Sequence, residues 1–407
     1  MAIEIVHVSD IHFGSGEGHG RVNPDTGLNT RFEDFVSALA KVVDYTIEKK
    51  CDVFLFSGDA YRTASPEPVY QKMFARELKR LSDSGIKTVL LVGNHDQILK
   101  STQSHAMSVF QSLEVPGVLT IDRPVLTKID TAGGAFQLIG LPHVTRHQLL
   151  TVDKYLSLPA SSIDKALIEH VEDILKGYYA GLDRSIPTVV TAHMTVDRAV
   201  AGIEQELLIG YSLTFPGDIF IDDRIDYVAL GHVHKHQVIR QRDPAIVYAG
   251  SLERVDFGEQ GEDKGFVHVQ LERGQTTWKF HSISPRPFVT VDADLTDCAD
   301  PTERLCERVT SKLVPGCVLR VRYKIRQEQV DSLEEDRVRS LAASALSIRF
   351  QPDVIQPAHR ARLPQLNESA TATPLAALET YLDEVAPQRK EKLLARAREL
   401  MDQLNSE

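Results

Sequence analysis

Five short apolar runs in this chain of 407 residues stop in the same kinds of residue. "EIVHVSDIH" ends in Asp10 and His12, "DVFLFSGD" in Asp59, and "KTVLLVGNHD" in Asn94, His95 and Asp96. "TVVTAH" ends in His193, and "DYVALGHVH" in His232 and His234. The runs are short and rich in β-branched and aromatic residues, as buried strands are. Between them lie stretches with helical spacing. Phe32, Phe35, Val36, Leu39, Val42, Val43 and Ile47 make one apolar face, and 68–82 reads as a second helix. Strands alternating with helices predict an α/β layered fold. Sites in such folds sit at the carboxyl ends of the strands, so residues far apart in sequence are expected at one place.

The spacing within the runs suggests how. In extended chain, residues i and i+2 point to one side. His232 and His234 would then face together with Val233 turned away, and Asp10 and His12 would do so around Ile11. Gly58, Gly93 and Gly231 precede these residues, where backbone must turn sharply or pass close to the site. Asp, Asn and His without cysteine suit a borderline-to-hard divalent ion: manganese first, then iron, zinc or magnesium. Asp10, His12, Asp59, Asn94, His193, His232 and His234 are too many ligands for one ion. Two ions sharing a carboxylate fit the number, and two ions ~3.5–4 Å apart are the machinery of phosphoester hydrolysis. Taken singly, a Gly-Asp or a lone strand histidine is weak, because turns and cores use both. His7, His143, His236 and His268 are read as structural on that ground.

From about residue 237 the pattern changes to hairpins: "QVIRQ", "AIVYAG", "GFVHVQLE" and "TTWKFHSIS". "SPRP" at 284–287 marks a boundary. The chain therefore divides into a domain at 1–283, a smaller α+β unit at 284–362, a polar linker at 363–374 and a helical tail at 375–407. The smaller unit is expected to hold strands at 288–295, 317–325 and 353–360, and helices near 301–313 and 331–346. The tail carries two apolar stripes, Leu375, Leu378, Tyr381, Leu382 and Val385, then Leu393, Leu394, Ala397, Leu400 and Leu404. Two such helices bury little against each other, so they are expected to dock on a partner. No run reaches the ~20 apolar residues of a membrane span, and the first residues read as a strand and not as a signal peptide. Cys51, Cys298, Cys306 and Cys317 form no C-x-x-C pair, which fits reduced thiols in a cytoplasmic protein. With a net charge of −11, a polyanion partner needs a local basic patch, a metal or a second subunit.

The ordered set D-x-H, G-D, G-N-H-D, A-H, G-H-x-H resembles that of the calcineurin-like metallophosphoesterase superfamily. "VHVSDIHFG", "SGDAYRTASPEP", "VLLVGNHD", "DYVALGHVHKHQVI" and "VYAGSLERVDFGE" are similar to the motifs of its DNA-break-repair nucleases, from residue 1 to about 280. That resemblance implies a four-layer fold of two mixed sheets flanked by helices, with a capping domain and C-terminal helices. It implies that Asp10, His12, Asp59 and His234 hold one manganese, and Asp59, Asn94, His193 and His232 the other, with Asp59 bridging. His95 would be catalytic, contacting the scissile phosphate and protonating the leaving oxygen, a task suited to imidazole. Some relatives carry a histidine where this chain has Arg62, which leaves the support of His95 open. The resemblance further implies duplex 3'–5' exonuclease and single-strand or hairpin endonuclease activity, with an SMC-like ATPase bound by the tail helices. It also implies a homodimer, with candidate interface residues 62–81 and 105–113, and a nucleoid-associated location. Lys235, Arg240, Arg242, Arg254, Arg360 and Arg362 are candidates for a DNA patch.

Two other classes compete. A phosphatase or small-molecule phosphodiesterase would use the same ligands, but has no need of a docking tail. A non-catalytic scaffold on the same fold has no reason to aim seven ligands at one point.

Overall fold

The alternation of apolar runs and amphipathic stretches folds as a βα succession. The computed structural model describes residues 2–14, 18–97, 104–145, 160–200, 213–356, 373–385 and 387–404. The first half contains β1 (Ile3–Val8), α1 (Thr30–Glu48), β2 (Val53–Phe56), α2 (Pro68–Asp83), β3 (Lys87–Leu91), α3 (Ser108–Ser112), β4 (Val118–Ile121), β5 (Val125–Thr131), β6 (Gly134–Leu141), α4 (Ala160–Ala180) and β7 (Thr188–His193). Then come β8 (Thr195–Val196), β9 (Thr214–Phe215), β10 (Tyr227–Gly231), β11 (Gln237–Arg240), β12 (Ala245–Tyr248), β13 (Gly265–Leu271) and β14 (Thr277–Ser282). α1 starts where the Asn29 side chain accepts the Arg31 N–H, and α2 where Pro68 occupies the first turn.

Two six-stranded sheets result, in the orders β14-β13-β1-β2-β3-β4 and β11-β12-β10-β7-β6-β5. Both are mixed, as expected. In the first, β1 to β4 are parallel and β13 returns antiparallel to β1. In the second, β6, β7, β10 and β12 are parallel, with β5 and β11 antiparallel at the edges. The two late hairpins therefore close two different sheets, where the sequence suggests one sheet finishing in hairpins. Strands β4 to β6 are not foreseen from the sequence. β5 is half-exposed and interrupted by Thr and Lys, so its alternation is faint.

The sheets pack face to face through Ile5, Val53, Leu55 and Val89 on one side and Leu138, Val189, Tyr227 and Val247 on the other. The outer face of the first sheet, with Val6, Val8, Phe54 and Phe56, is covered by Phe35, Leu39 and Val43 of α1 and Phe74 and Leu78 of α2. The outer face of the second, with Ile139, Val190, Val228 and Leu230, is covered by Val171, Leu175 and Tyr179 of α4. The order helix, sheet, sheet, helix is the four-layer α/β arrangement. Phe74 is fully buried among the rings of Phe13, Phe56, Tyr61 and Phe110; its truncation to Ala is expected to destabilise by about 3–5 kcal/mol.

The remaining elements are β15 (Phe288–Asp294), α5 (Pro301–Lys312), β16 (Val318–Arg326), α6 (Glu335–Leu341), β17 (Ser347–Ile355), α7 (Pro374–Val385) and α8 (Lys390–Leu404). Strands β15, β16 and β17 form a sheet in that order. α6 is shorter than the expected 331–346, because 327–332 winds as a 3-10 turn, and β17 begins six residues ahead of the expected 353. The chain divides into two compact units, one of 1–291, 309–321 and 339–350, the other of 292–308, 322–338 and 351–407. In the second, Leu382 of α7 and Leu394 of α8 are buried while Tyr381, Leu393 and Leu400 are exposed. Most of the 363–374 linker, Arg360 and Arg362 lie outside the described residues, as do the side chains of Val385 and Leu404. The four cysteines form no disulfide. No helix among the described residues is long and apolar enough to cross a membrane.

Candidate metal centre

The ends of β1, β2, β3, β7 and β10 meet at one edge of the two sheets, and their polar residues meet with them. Three overlapping groups of side chains have ligand atoms within 4.8 Å of one another: Asp10, His12 and His234; His12, Asp59 and His95; Asp59, His193 and His232. Asn94 joins the last, its Oδ1 lying 3.0 Å from His193 Nε2 and 2.9 Å from His232 Nδ1. All seven residues expected as ligands, and His95, are thus in one place.

Of the two pairs expected from extended chain, Asp10 and His12 do share one group, whereas His232 and His234 do not. Strands β1, β2, β3 and β10 stop before their polar residues, while His193 closes β7 itself, and Asp10 (φ 52°), His12 (φ 52°), Asp59 (φ 61°) and His232 (φ 94°) are all left-handed. Non-glycine residues rarely adopt this region, and such strain gathers at functional sites. The turn at His232 separates what alternation would have joined. His234 goes to Asp10 and His12, and His232 to Asp59 and His193. Two neighbouring glycines are required by the crowding. A Cβ on Gly93 would lie 2.1 Å from Asp59 Oδ1, and one on Gly58 2.2 Å from His193 Nδ1.

The loop carrying Asp59 is fixed by Asp96, to which the sequence assigns no role. Its buried carboxylate accepts the backbone N–H groups of Asp59 (3.0 Å), Ala60 (3.1 Å), Tyr61 (3.2 Å) and Gly93 (3.0 Å). Burial and the charge of Asp59 push Asp96 up to about 7, against the pull of those amides. Asp59 Oδ1 accepts the His95 N–H at 2.9 Å. Asp59 Oδ2 is left facing both groups, 3.7 Å from His12 Nε2 and 3.2 Å from His193 Nε2.

The tautomers follow from the partners. His193 Nδ1–H donates to the Ser57 carbonyl at 2.7 Å, leaving Nε2 for the site. His234 Nδ1–H donates to Glu259 at 2.7 Å, again leaving Nε2, which lies 2.9 Å from His12 Nε2. His95 Nδ1–H donates to the Arg62 carbonyl at 3.0 Å. The backbone of residue 62 therefore steadies His95 whatever side chain stands there. His143, His236 and His268, read as structural, bond the His193 carbonyl, the Tyr248 carbonyl and Glu4 respectively. His7 bonds Tyr227 OH in the core.

Electrostatics splits the imidazoles into two kinds. Burial and the neighbouring His234 hold His12 well below the usual range; burial and His193 do the same to His232. Burial would lower His193 too, yet the Asp59 carboxylate carries it up to about 9. Burial is likewise overcome at His234, which Glu259 carries up to about 9. Asp59 is held well below the carboxylate range by His193 in spite of burial, whereas burial raises Asp10. Buried nitrogens and carboxylates of mixed charge, crowded at 2.9–3.7 Å, are what a cation would settle. Ligands ~2.1 Å from one ion lie ~3.0–3.4 Å apart. The donor set of imidazole, carboxylate and amide fits divalent ions, and softer thiolate-seeking ones poorly.

Arg254, expected in a basic patch, donates to the carbonyls of Glu259, Arg286 and Glu262, so it braces loops. Arg240 bonds the Arg242 and Asp243 carbonyls. Lys235 and Arg242 are exposed. Glu259 is not marked by the sequence although its "FGE" stands in a motif already singled out; a single acid on a loop carries no signal of its own.

This fold and the polar cluster at its strand ends define a phosphoesterase class, and the chain belongs to the calcineurin-like phosphoesterase family, whose pattern matches residues 3–236. More particularly, the chain is similar to the SbcD subunit of the nuclease SbcCD of Escherichia coli strain K12, 25% identical over 275 residues, covering 66% of this chain and 64% of that protein. It is also similar to the SbcD subunit of the nuclease SbcCD of Bacillus subtilis strain 168, 24% identical over 285 residues and 68% of each. The match thus spans less than two-thirds of the E. coli relative. Among solved structures, a dimetal phosphatase from Danio rerio aligns with a TM-score of 0.43 at 8% identity, over 70% of this chain and 98% of that one.

Proposed function

We propose that the protein is a manganese-dependent DNA nuclease. Asp10, His12, Asp59 and His234 hold one ion; Asp59, Asn94, His193 and His232 hold the other. The observation that carries this reading is the position of Asp59 Oδ2, one oxygen facing His12 Nε2 at 3.7 Å and His193 Nε2 at 3.2 Å. When bound, the ions activate a water and clamp the phosphate oxygens. The chain's own residues do the rest. Asp96 holds the Asp59 turn, and the Arg62 carbonyl orients His95. His95 is exposed, with its ring 5.0 Å from that of His12, so its Nε2 reaches a phosphoester at the centre and gives a proton to the leaving oxygen.

DNA as substrate, cut as a duplex 3'–5' exonuclease and as a single-strand or hairpin endonuclease, is supported by the motif resemblance and by the name of the relatives. A phosphodiester of either strand suits the same centre. Residues 284–362 act as a cap, and 375–407 bind an SbcC-type ATPase. Exposed Tyr381, Leu393 and Leu400 support a docking role for the tail. With Arg240 and Arg254 held by backbone carbonyls and a net charge of −11, much of the grip on DNA falls to that partner. The chain acts as a homodimer in this reading.

The test is cleavage of end-labelled linear duplex with manganese, wild type against His95→Ala, with metal content measured on both. Cutting by wild type alone, with two ions in each, is expected. Rapid hydrolysis of small phosphomonoesters with no cutting of DNA, even with the ATPase added, would refute the nuclease. Deletion of 370–407 should leave the rest folded and end co-purification with the ATPase.

A further inference from the structure

Glu259 belongs to neither ligand set, yet it touches one. Its Oε1 lies 2.7 Å from His234 Nδ1, and a carboxylate only accepts, so Nδ1 carries the hydrogen. Its Oε2 accepts the Val255 N–H at 2.9 Å and faces the Lys264 ammonium at 2.9 Å. Lys264 is itself 1% exposed, and donates to the His234 carbonyl at 3.0 Å and to Glu262 at 2.8 Å. The lysine thus grips the backbone of His234 and the carboxylate that orients its ring. Every contact of the Glu259 carboxylate is with a donor. In the other set, His193 is placed differently: it leans on the neutral Ser57 carbonyl.

We infer that Glu259, locked by Lys264, is a positioning residue that holds His234 as the Nδ1–H tautomer and makes the Asp10–His12–His234 side the tighter of the two cation sites. This rests on the reading that these histidines hold metal. A carboxylate behind a ligating imidazole fixes its ring and raises its basicity, and removal of such a partner typically weakens metal binding about 10–100-fold. The two sides also differ in their own charge. Asp10 and the shared Asp59 serve one, whereas Asn94 is the neutral counterpart of Asp10 on the other. The tighter side therefore fills first.

Glu259→Gln tests it with almost no change of shape. The amide has one accepting and one donating end. With its oxygen toward Val255 N–H and Lys264, its NH2 faces His234 Nδ1, which must then accept. The ring hydrogen moves to Nε2 and blocks the lone pair meant for the ion. The opposite orientation sets NH2 against two donors. Manganese(II) is titrated into the full chain, and the electron paramagnetic resonance of the free ion is followed. Wild type is expected to bind two ions in two steps. Glu259→Gln is expected to weaken the tighter step about 10–100-fold and spare the other. Two unchanged steps would overturn the inference and leave the two-ion reading standing. Equal loss of both steps would also overturn it, by making Glu259 a support of the fold. No manganese bound by wild type would bring down the two-ion reading and this inference together. If the variant does not fold, nitrogen-15 spectra of histidine-labelled, zinc-loaded wild type decide. A hydrogen on His234 Nδ1 is expected, and zinc on that nitrogen would refute the tautomer.

Discussion

The two sides of the centre share the ends of β2 and β10 but draw otherwise on different strands, β1 for one and β3 and β7 for the other, and on different chemistry. On one side stand Asp10, His12 and His234, the last backed by a carboxylate at 2.7 Å and a buried lysine. On the other stand Asn94, His193 and His232, where an amide replaces the carboxylate and a peptide carbonyl, behind His193, stands in place of the acid. Asp59 is common to both. The comparison teaches that a near-symmetric arrangement of side chains can sit in unequal fixed charge: a carboxylate and the Glu259–Lys264 pair on one side, an amide and a peptide carbonyl on the other.

The largest effect is expected where the sides are joined. Asp59→Ala removes the shared oxygen, so both ions should be lost and phosphodiester hydrolysis should fall on the order of 10³-fold or more, measured by turnover and by elemental analysis. His95→Ala leaves both proposed ligand sets in place, since the hydrogen bond of residue 95 to Asp59 comes from its backbone N–H. It should reduce turnover by about 10²–10⁴-fold with both ions retained, and loss of metal from this variant would place His95 among the ligands instead. Asp96→Asn should loosen the loop under both sides equally. An amide nitrogen would face backbone N–H donors, and unfolding in urea should show a loss of about 1–3 kcal/mol.

The smallest effect is on pH. His193 and His234, one on each side, are raised to about 9. A raised imidazole stabilises the folded, metal-free chain fully below its unfolded value near 6.5, and that contribution is lost as pH rises through about 9. Melting temperatures in chelator should therefore decline from about pH 6.5 to about 9. Manganese must displace those same protons, so its affinity should climb across that window, roughly tenfold per pH unit for each proton displaced, and level off above it. A flat profile on the Asn94 side alone would show that His193 is already deprotonated and that only the Glu259-backed side competes with protons.

Much of this was legible in the chain. The apolar runs announced β1, β2, β3, β7 and β10, because each is buried and closes in a residue that cannot continue the run. The helices at 30–48 and 68–83 follow from apolar spacing. What escaped was contingent on packing. β5 sits half-exposed at a sheet edge, where alternation is weak. Asp96 and Glu259 act by what they touch: Asp96 caps four peptide N–H groups, and Glu259 meets a histidine 25 residues away in sequence. Arg254 looked like a surface cation and is spent on three carbonyls.

By itself the sequence determined which atoms can bind a cation and in what order they come along the chain, since donor type and strand-end position are local properties. Only the tertiary structure decided how they are shared. Left-handed backbone at Asp10, His12, Asp59 and His232 overrides the two-residue alternation of a strand, so His232 and His234 part company although one residue separates them. The reason is physical: alternation is a rule of extended backbone, and at β10 the extended backbone ends at Gly231, before either histidine.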